Sequence, residues 1–285
     1  MSAVARRRCW RLSAMVTAAC LLGLSGAGAL AGSVSAARWA ISHAIPPHVS
    51  APAYHLVLAR IRLDAVAQIR QPKARRRDRL VTAYVANAGS GTVTPIRTST
   101  NQALKPISVG SLPVAVAITP DGKTAYVVNE DSDSVTPIRT ATNSALAPIR
   151  VGFDPEYIAI TPNGKTVYVV NFGCPCPDPV PNTVTAISTV TNRAVKTIAA
   201  GSLDGPDAIA ITPDGHTAYV ADAATDTVTP ISTSTNTALA PIEITGPIPA
   251  DPSAIAITPD GRIAYVVNLN SSTVTAISTA TNTVL

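Results

Sequence analysis

The chain has 285 residues, 22 Lys+Arg against 17 Asp+Glu, a net charge of +5, and an apolar fraction of 46% of which very little is aromatic. The charge averages two unlike segments: residues 1–80 hold 13 bases and two acids (Asp64, Asp78), whereas residues 81–285 hold nine bases and 15 acids. A basic body built to bind nucleic acid is therefore excluded, and so is a disordered chain, because apolar content is high and charge sparse.

At the N-terminus, Arg6, Arg7, Arg8 and Arg11 precede an apolar run from Leu12 to Ala31. Small-residue cleavage sites follow at Ala29-Leu30-Ala31 and Val34-Ser35-Ala36. A charged start, an apolar middle and an A-x-A-like end predict a secretory signal peptide over residues 1–36 and export to the medium or cell envelope. Once it is removed, no remaining apolar stretch is long enough to span a bilayer. Residues 37–80 read as a basic arm. His43 to Pro52 holds three prolines and reads as a linker. Lys73 to Arg79 is a basic cluster, read as a solvated connection or as a contact for an anionic envelope component or an acidic protein face.

From residue 81 onward one unit repeats. Tyr84-Val85-Ala86-Asn87, Tyr126-Val127-Val128-Asn129, Tyr168-Val169-Val170-Asn171, Tyr219-Val220-Ala221-Asp222 and Tyr265-Val266-Val267-Asn268 are five copies of one strand, spaced 42, 42, 51 and 46 residues apart. Four copies are preceded by a segment like Ile-Thr-Pro-Asp-Gly, and each is followed by Thr-Val-Thr-[Pro/Ala]-Ile or a close variant. Residues 81–285 contain 32 threonines, and branched side chains favour a pleated surface. Each unit reads as four short strands joined by turns. Proline presets φ in the Thr-Pro-Asp-Gly turn and glycine accepts its positive φ, so Asp121, Asp214 and Asp260 read as turn residues. Four-stranded units of about 40–45 residues in series predict an all-β fold, a β-propeller of four-stranded antiparallel blades.

The Tyr-Val-[Val/Ala]-[Asn/Asp] strand, with Ile-Thr-Pro-Asp-Gly before it and Thr-Val-x-x-Ile-x-Thr-x-Thr-Asn after it, resembles the YVTN-repeat β-propeller family. The resemblance covers residues 81–285. It implies the propeller fold and export, and among related propellers it includes lactonase-like enzymes. Such relatives close rings of about seven blades, whereas five repeats are visible here. Residues 56–70 could supply a closing strand; otherwise the ring is truncated or needs a second copy.

Loop insertions after Asn171, around Gly201–Pro206 and at Thr245–Pro252 fall on one face of the predicted ring. Eleven acids fall in or beside the loops of that face: Glu130, Asp131, Asp133, Asp154, Glu156, Asp178, Asp204, Asp207, Asp222, Asp226 and Asp251. Variable loops on a fixed scaffold are where function is placed, so these residues form the candidate ligand or partner face. Its ligand would be a cationic protein, a divalent ion or the chain's own basic arm. For calcium, Asp131 and Asp133 are the best seed, but no complete ligand set is legible, so no metal site and no cofactor are assigned. Cys174 and Cys176 are the disulfide candidates, since an exported pair is oxidised.

No catalytic constellation is legible. The histidines are His43, His48, His55 and His216, and neither a G-x-S-x-G element nor a phosphate-cradling loop occurs. The reading favoured by sequence alone is a non-enzymatic binding or surface-interaction module acting through the acidic face. A lactonase-like hydrolase and a purely structural surface repeat are the alternatives.

Overall fold

The computed structural model describes residues 82–173, 180–199, 203 and 205–285, all within a compact unit of residues Leu63–Leu285. The expected signal peptide, arm and closing strand, and Cys174, Cys176, Asp178 and Asp204, lie outside the described residues. Five antiparallel sheets follow one another along the chain, with no α-helix among the described residues. Blade 1 comprises β1 (Thr82–Asn87), β2 (Thr92–Arg97), β3 (Gln102–Ala103) and β4 (Ile107–Ser108). Blade 2 comprises β5 (Pro113–Ile118), β6 (Thr124–Asn129), β7 (Ser134–Arg139), β8 (Ser144–Ala145) and β9 (Ile149–Arg150). Blade 3 has β10 (Pro155–Ile160), β11 (Thr166–Asn171), β12 (Thr183–Ser188) and β13 (Arg193–Ile198). Blade 4 has β14 (Pro206–Ile211), β15 (Thr217–Asp222), β16 (Thr227–Ser232), β17 (Thr237–Ala238) and β18 (Ile242–Glu243). Blade 5 has β19 (Pro252–Ile257), β20 (Ile263–Asn268), β21 (Thr273–Ser278) and β22 (Thr283–Val284).

The Tyr-Val strands are second in the meanders of blades 2 to 5 and first among the described strands of blade 1, and the Ala/Ile-rich β5, β10, β14 and β19 are first in theirs and adjoin one another from blade to blade. Small residues suit this innermost position, where blades converge. The fourth strand differs from its expected single run. In blades 1, 2 and 4 it is split, because Pro106, Pro148 and Pro241 lack the N–H that a ladder needs. In blade 3, Thr197 stands at the proline position and β13 runs unbroken, with Thr197 opposite Thr185. Proline on the outermost strand also blunts an edge that would otherwise recruit another chain.

The Thr-Pro-Asp-Gly turn forms as its chemistry requires. Gly122 N–H donates to Thr119 O at 2.8 Å, and the Asp121 carboxylate accepts both Thr119 Oγ1–H at 2.6 Å and Lys123 N–H at 3.0 Å. Gly215 closes the same turn in blade 4 at φ 78°, a left-handed backbone that L side chains rarely adopt. The hydrogen bond from Thr119 holds Asp121 below the usual carboxylate range, and the backbone N–H of His216 does the same for Asp214. In blade 3, Asn163 makes the same contacts without a charge, which assigns these positions to turn structure.

The last residue of each Tyr-Val strand explains the paired threonines. Asn129 Nδ2 donates to Ser134 Oγ at 3.2 Å and Thr136 Oγ1 at 2.9 Å, and Asn171 Nδ2 to Thr183 and Thr185 Oγ1, both at 3.0 Å. The link to the blade's start packs on the same amide: a Cβ on Gly152 would lie 2.6 Å from Asn171 Cγ, so only glycine fits. Blade 4 carries Asp222 instead. It is fully buried, and the direction reverses, with Thr229 Oγ1–H donating to Asp222 Oδ2 at 2.7 Å.

Cores form between blades. Tyr126, Val128, Val135 and Ile149 of blade 2 pack on Val167, Val169 and Ile187 of blade 3, and the pattern recurs along the chain. At the far end of each interface a tyrosine reaches into the next blade: Tyr126 Oη–H donates to Asn192 Oδ1 at 2.6 Å. That asparagine sits at φ 51° in the turn before the fourth strand, a left-handed position that Asn tolerates.

Two predictions follow from these contacts. Burial pushes the Tyr126 and Tyr168 phenols up to about 12 from 10.0. The fold thus keeps them neutral, so their contribution to stability is complete below pH 10 and is lost as pH rises through about 12. Alkaline melting curves should show this loss, and Tyr126→Phe should lower neutral-pH stability by about 1 kcal/mol. Asp222→Asn should raise the urea midpoint by the equivalent of about 1 kcal/mol, because an uncharged amide can donate to both threonines as Asn171 does.

Candidate metal centre

The link from β9 to β10 ends in Asp154 at φ 55°, directly before Pro155. The same left-handed residue precedes a proline at Leu112, Gly205 and Asp251. Its carbonyl accepts the N–H of the residue after the Tyr-Val strand: Leu112 O from Glu130, Asp154 O from Phe172, Gly205 O from Ala223, all at 2.9 Å. The chain then enters a β-bulge. In blade 3, Pro155 pairs with Asn171 and Tyr157 with Val170, leaving Glu156 as the extra residue. Bulges re-aim side chains and are frequent beside active sites.

Three carboxylates converge here. Glu130 opens a 3-10 turn (Glu130–Ser132) after β6 and is buried, although it is a charged residue; Asp154 and Glu156 are half-buried. One carboxylate oxygen from each lies within 4.8 Å of the other two. A hard cation at 2.3–2.6 Å from its ligands can sit within that span. All-oxygen carboxylate donors suit calcium, magnesium or manganese over zinc or copper. The residues present therefore fit a divalent metal.

The other acids of the predicted face divide by what they touch. Asp133 Oδ1 accepts the Asp154 N–H at 3.0 Å and so fixes a proposed ligand's backbone. Asp226 does the same two interfaces later, accepting from Ala250 and Asp251 N–H, both at 2.8 Å. Asp133 and Asp226 sit at φ 49° and 54°, in the left-handed region. Asp222 is buried under its threonines. Asp207 takes on β14 the bulge position that Glu156 takes on β10, next to Asp222 across a shift between Pro206 and Ala208. Asp131 lies in the 3-10 turn and Asp251 in the link before β19; neither joins the carboxylate cluster. The Asp131–Asp133 seed is thus displaced: the convergent set is Glu130, Asp154 and Glu156, and Asp133 works one step behind it. The signal was readable by aligning repeats. The position after the Tyr-Val strand is Ala88, Glu130, Phe172, Ala223 and Leu269, and only one of these is charged. A groove of about 570 Å³ lies at the outer edge between blades 1 and 2, lined by Ser108, Ser134, Thr136 and Arg150 among others, but none of the three carboxylates borders it.

Residues 182–284 match the family described as Lactonase, 7-bladed beta-propeller. No curated protein matches the chain. Among solved structures, the Kuenenia stuttgartiensis hydrazine synthase is similar at 19% identity and TM-score 0.42, covering 70% of this chain and 80% of that one. A functionally unknown protein from Desulfotomaculum acetoxidans DSM 771 is similar at 18% identity and TM-score 0.46, covering 72% and 78%. Together with the five blades, the match over residues 182–284 supports a β-propeller fold.

One expectation is corrected. Sequence alone favoured a chain that is not an enzyme. The carboxylate triad and the lactonase match argue for a catalytic site instead. Sequence reasoning missed it because no single loop contains the ligands: Glu130 comes from one blade, Asp154 and Glu156 from the start of the next.

The different duties of these acids can be separated. Asp226→Asn, which keeps Oδ1 as an acceptor, should leave stability near wild type, whereas Asp226→Ala should lose about 1–3 kcal/mol in urea denaturation by orphaning the Ala250 and Asp251 N–H groups.

Proposed function

We propose that this protein is a metal-dependent hydrolase of the propeller type that opens lactones, with a divalent cation held by Glu130, Asp154 and Glu156. The observation that carries the reading is the convergence of three carboxylates from two blades at a bulge, in a chain whose C-terminal repeats match lactonase propellers. The finer placement among YVTN-repeat propellers rests on the five Tyr-Val-x-[Asn/Asp] strands, and export rests on the N-terminal pattern.

In lactone opening, water adds to the ester carbonyl, the ring C–O bond breaks, and the ring oxygen leaves as an alcohol beside the new carboxylate. A bound divalent cation supplies Lewis-acid polarisation of the carbonyl and a lower pKa for water. The chain's own residues supply position. Glu130 presents a carboxylate whose backbone is pinned to Leu112 O. Asp154 is held from both sides, its N–H on Asp133 and its carbonyl on Phe172 N–H. Glu156 is aimed by the bulge. Asp207 occupies the matching bulge position on the adjacent inner strand.

Two titrations test this. Calcium or manganese should raise the melting temperature of the wild type, and a panel of γ- and δ-lactones should be hydrolysed only with the metal present. Glu156→Gln should weaken metal binding tenfold or more, about 1.4 kcal/mol, and reduce turnover in parallel. Absence of turnover with every divalent metal and lactone tried would overturn the hydrolase reading.

A further inference from the structure

Aromatic residues are scarce in this chain, and their placement in the repeats is uneven. Of the seven tyrosines and two phenylalanines, five tyrosines belong to the repeated Tyr-Val strands and Tyr54 lies before the repeats. The remaining three are Phe153, Tyr157 and Phe172, and all belong to blade 3 or to the link that enters it. Two of them bracket the carboxylate cluster along the chain: Phe153 directly precedes Asp154, and Tyr157 directly follows Glu156. Phe172 is joined to the same place through the backbone. Its N–H donates to Asp154 O at 2.9 Å, and Gly173 N–H donates to Phe153 O at 3.1 Å. All three aromatic residues are half-buried. Tyr157 packs against the core that holds Tyr168 and Val170, which anchors it.

The scaffold does not call for these rings. At the place of Phe153 the other links carry Ser111, Asp204 and Ala250; at the place of Phe172 the other repeats carry Ala88, Glu130, Ala223 and Leu269; at the place of Tyr157 they carry Ala115, Ala208 and Ala254. The same backbone bonds close around those residues, as where Ala223 N–H donates to Gly205 O at 2.9 Å and Asn270 N–H to Ala250 O at 3.2 Å. The same bulge forms with alanine at the place of Tyr157. Three rings thus stand where other repeats manage without one, and they stand in the repeat whose first residues supply Asp154 and Glu156. Small-molecule sites combine a few placed polar groups with a mainly apolar and aromatic lining. A half-buried ring keeps part of its surface for such a contact.

We infer that Phe153, Tyr157 and Phe172 form the apolar subsite of the carboxylate centre, and that the substrate served there carries a hydrocarbon substituent. The inference rests on the hydrolase reading above in naming that substrate as a lactone. Its ester group meets the carboxylate centre, and an alkyl chain on the ring carbon that bears the oxygen lies on the aromatic residues. Charge favours the same class: an anionic substituent would be repelled by the acids of this face, among them Asp131, Asp133 and Asp207, whereas a neutral hydrocarbon gains by leaving water.

γ-Butyrolactone and γ-nonalactone share the reacting ring and differ by a pentyl chain. With calcium or manganese present, kcat/KM on the full-length wild type should rise along the alkyl series between them, by up to about fourfold per methylene. Metal-free protein gives a second readout that needs no turnover: saturation-transfer NMR should show γ-nonalactone bound through its chain protons, and γ-butyrolactone unbound at the same concentration. Phe153→Ala installs the residue that blade 5 carries at this place, and Phe172→Ala the residue of blades 1 and 4. Both should therefore fold, which circular dichroism checks, and the alkyl series on the wild type stands without them. Each should weaken γ-nonalactone binding about tenfold and leave calcium affinity at the wild-type value. Hydrolysis indifferent to chain length, or γ-nonalactone binding unchanged in both folded variants, would overturn the subsite and leave the hydrolase reading standing. Binding of γ-nonalactone that depends on the rings, with no turnover under any divalent metal, would uphold the subsite and end the hydrolase reading. Neither binding nor turnover of γ-nonalactone would overturn both.

Discussion

A four-stranded blade is a single layer, and a single layer cannot bury either of its faces alone. Everything else in this molecule follows from how that is solved. The Tyr-Val face of one blade is sealed by the alternating Ala, Val and Ile of the next, and the tyrosine hydroxyl crosses the interface to an asparagine held in a left-handed turn. With few aromatic residues in the chain, the four buried tyrosines are the largest side chains in the core, and they sit where blade meets blade. The energy of the fold therefore lies between repeats, where Val, Ile and Tyr burial is worth about 1.5–3 kcal/mol for each large side chain. Each blade's turns and proline-broken outer strand serve mainly to hold that face flat and to protect its edge.

The candidate metal centre is a by-product of the same registration. The loop after one blade's Tyr-Val strand is tied to the link that enters the next blade, as where Asp133 accepts the Asp154 N–H and Asp226 the Asp251 N–H, and this brings the residue after the Tyr-Val strand near the start of the next inner strand. In most repeats that junction holds Leu, Gly, Ala or Phe. Only at the junction of blades 2 and 3 are the positions filled by Glu130, Asp154 and Glu156, and there the shared scaffold becomes a carboxylate cluster. Asp133 and Asp226 show that the neighbouring acids serve this scaffold as backbone acceptors. The acidic face is thus a mixture of structural acids and a compact set with chemical potential.

Much of this is legible in the sequence, and the boundary has a physical reason. Strand count, turn type and the structural role of Asp121, Asp214 and Asp260 follow from local rules: β-branched alternation, proline φ and glycine at positive φ. The interruption of the fourth strand also lies in plain view at Pro106, Pro148 and Pro241. What local rules do not contain is which residues meet across a blade junction. Glu130 and Glu156 are 26 positions apart and in different repeats, so spacing within one loop pointed to Asp131 and Asp133 instead. Function is least legible, because a carboxylate set assembled from two blades leaves no contiguous motif. Among the described residues no helix is long and apolar enough to cross a membrane, and the cysteine pair and the N-terminal segment lie outside what the structure describes.

The central claim is that blade registration delivers Glu130, Asp154 and Glu156 to one cation. Anomalous diffraction from crystals grown with manganese measures this directly. The account predicts a single strong anomalous peak within bonding distance of a carboxylate oxygen from each of the three residues, abolished in Glu156→Gln crystals. Manganese density elsewhere on the acidic face with none between these side chains, or three carboxylates turned away from one another, would contradict it.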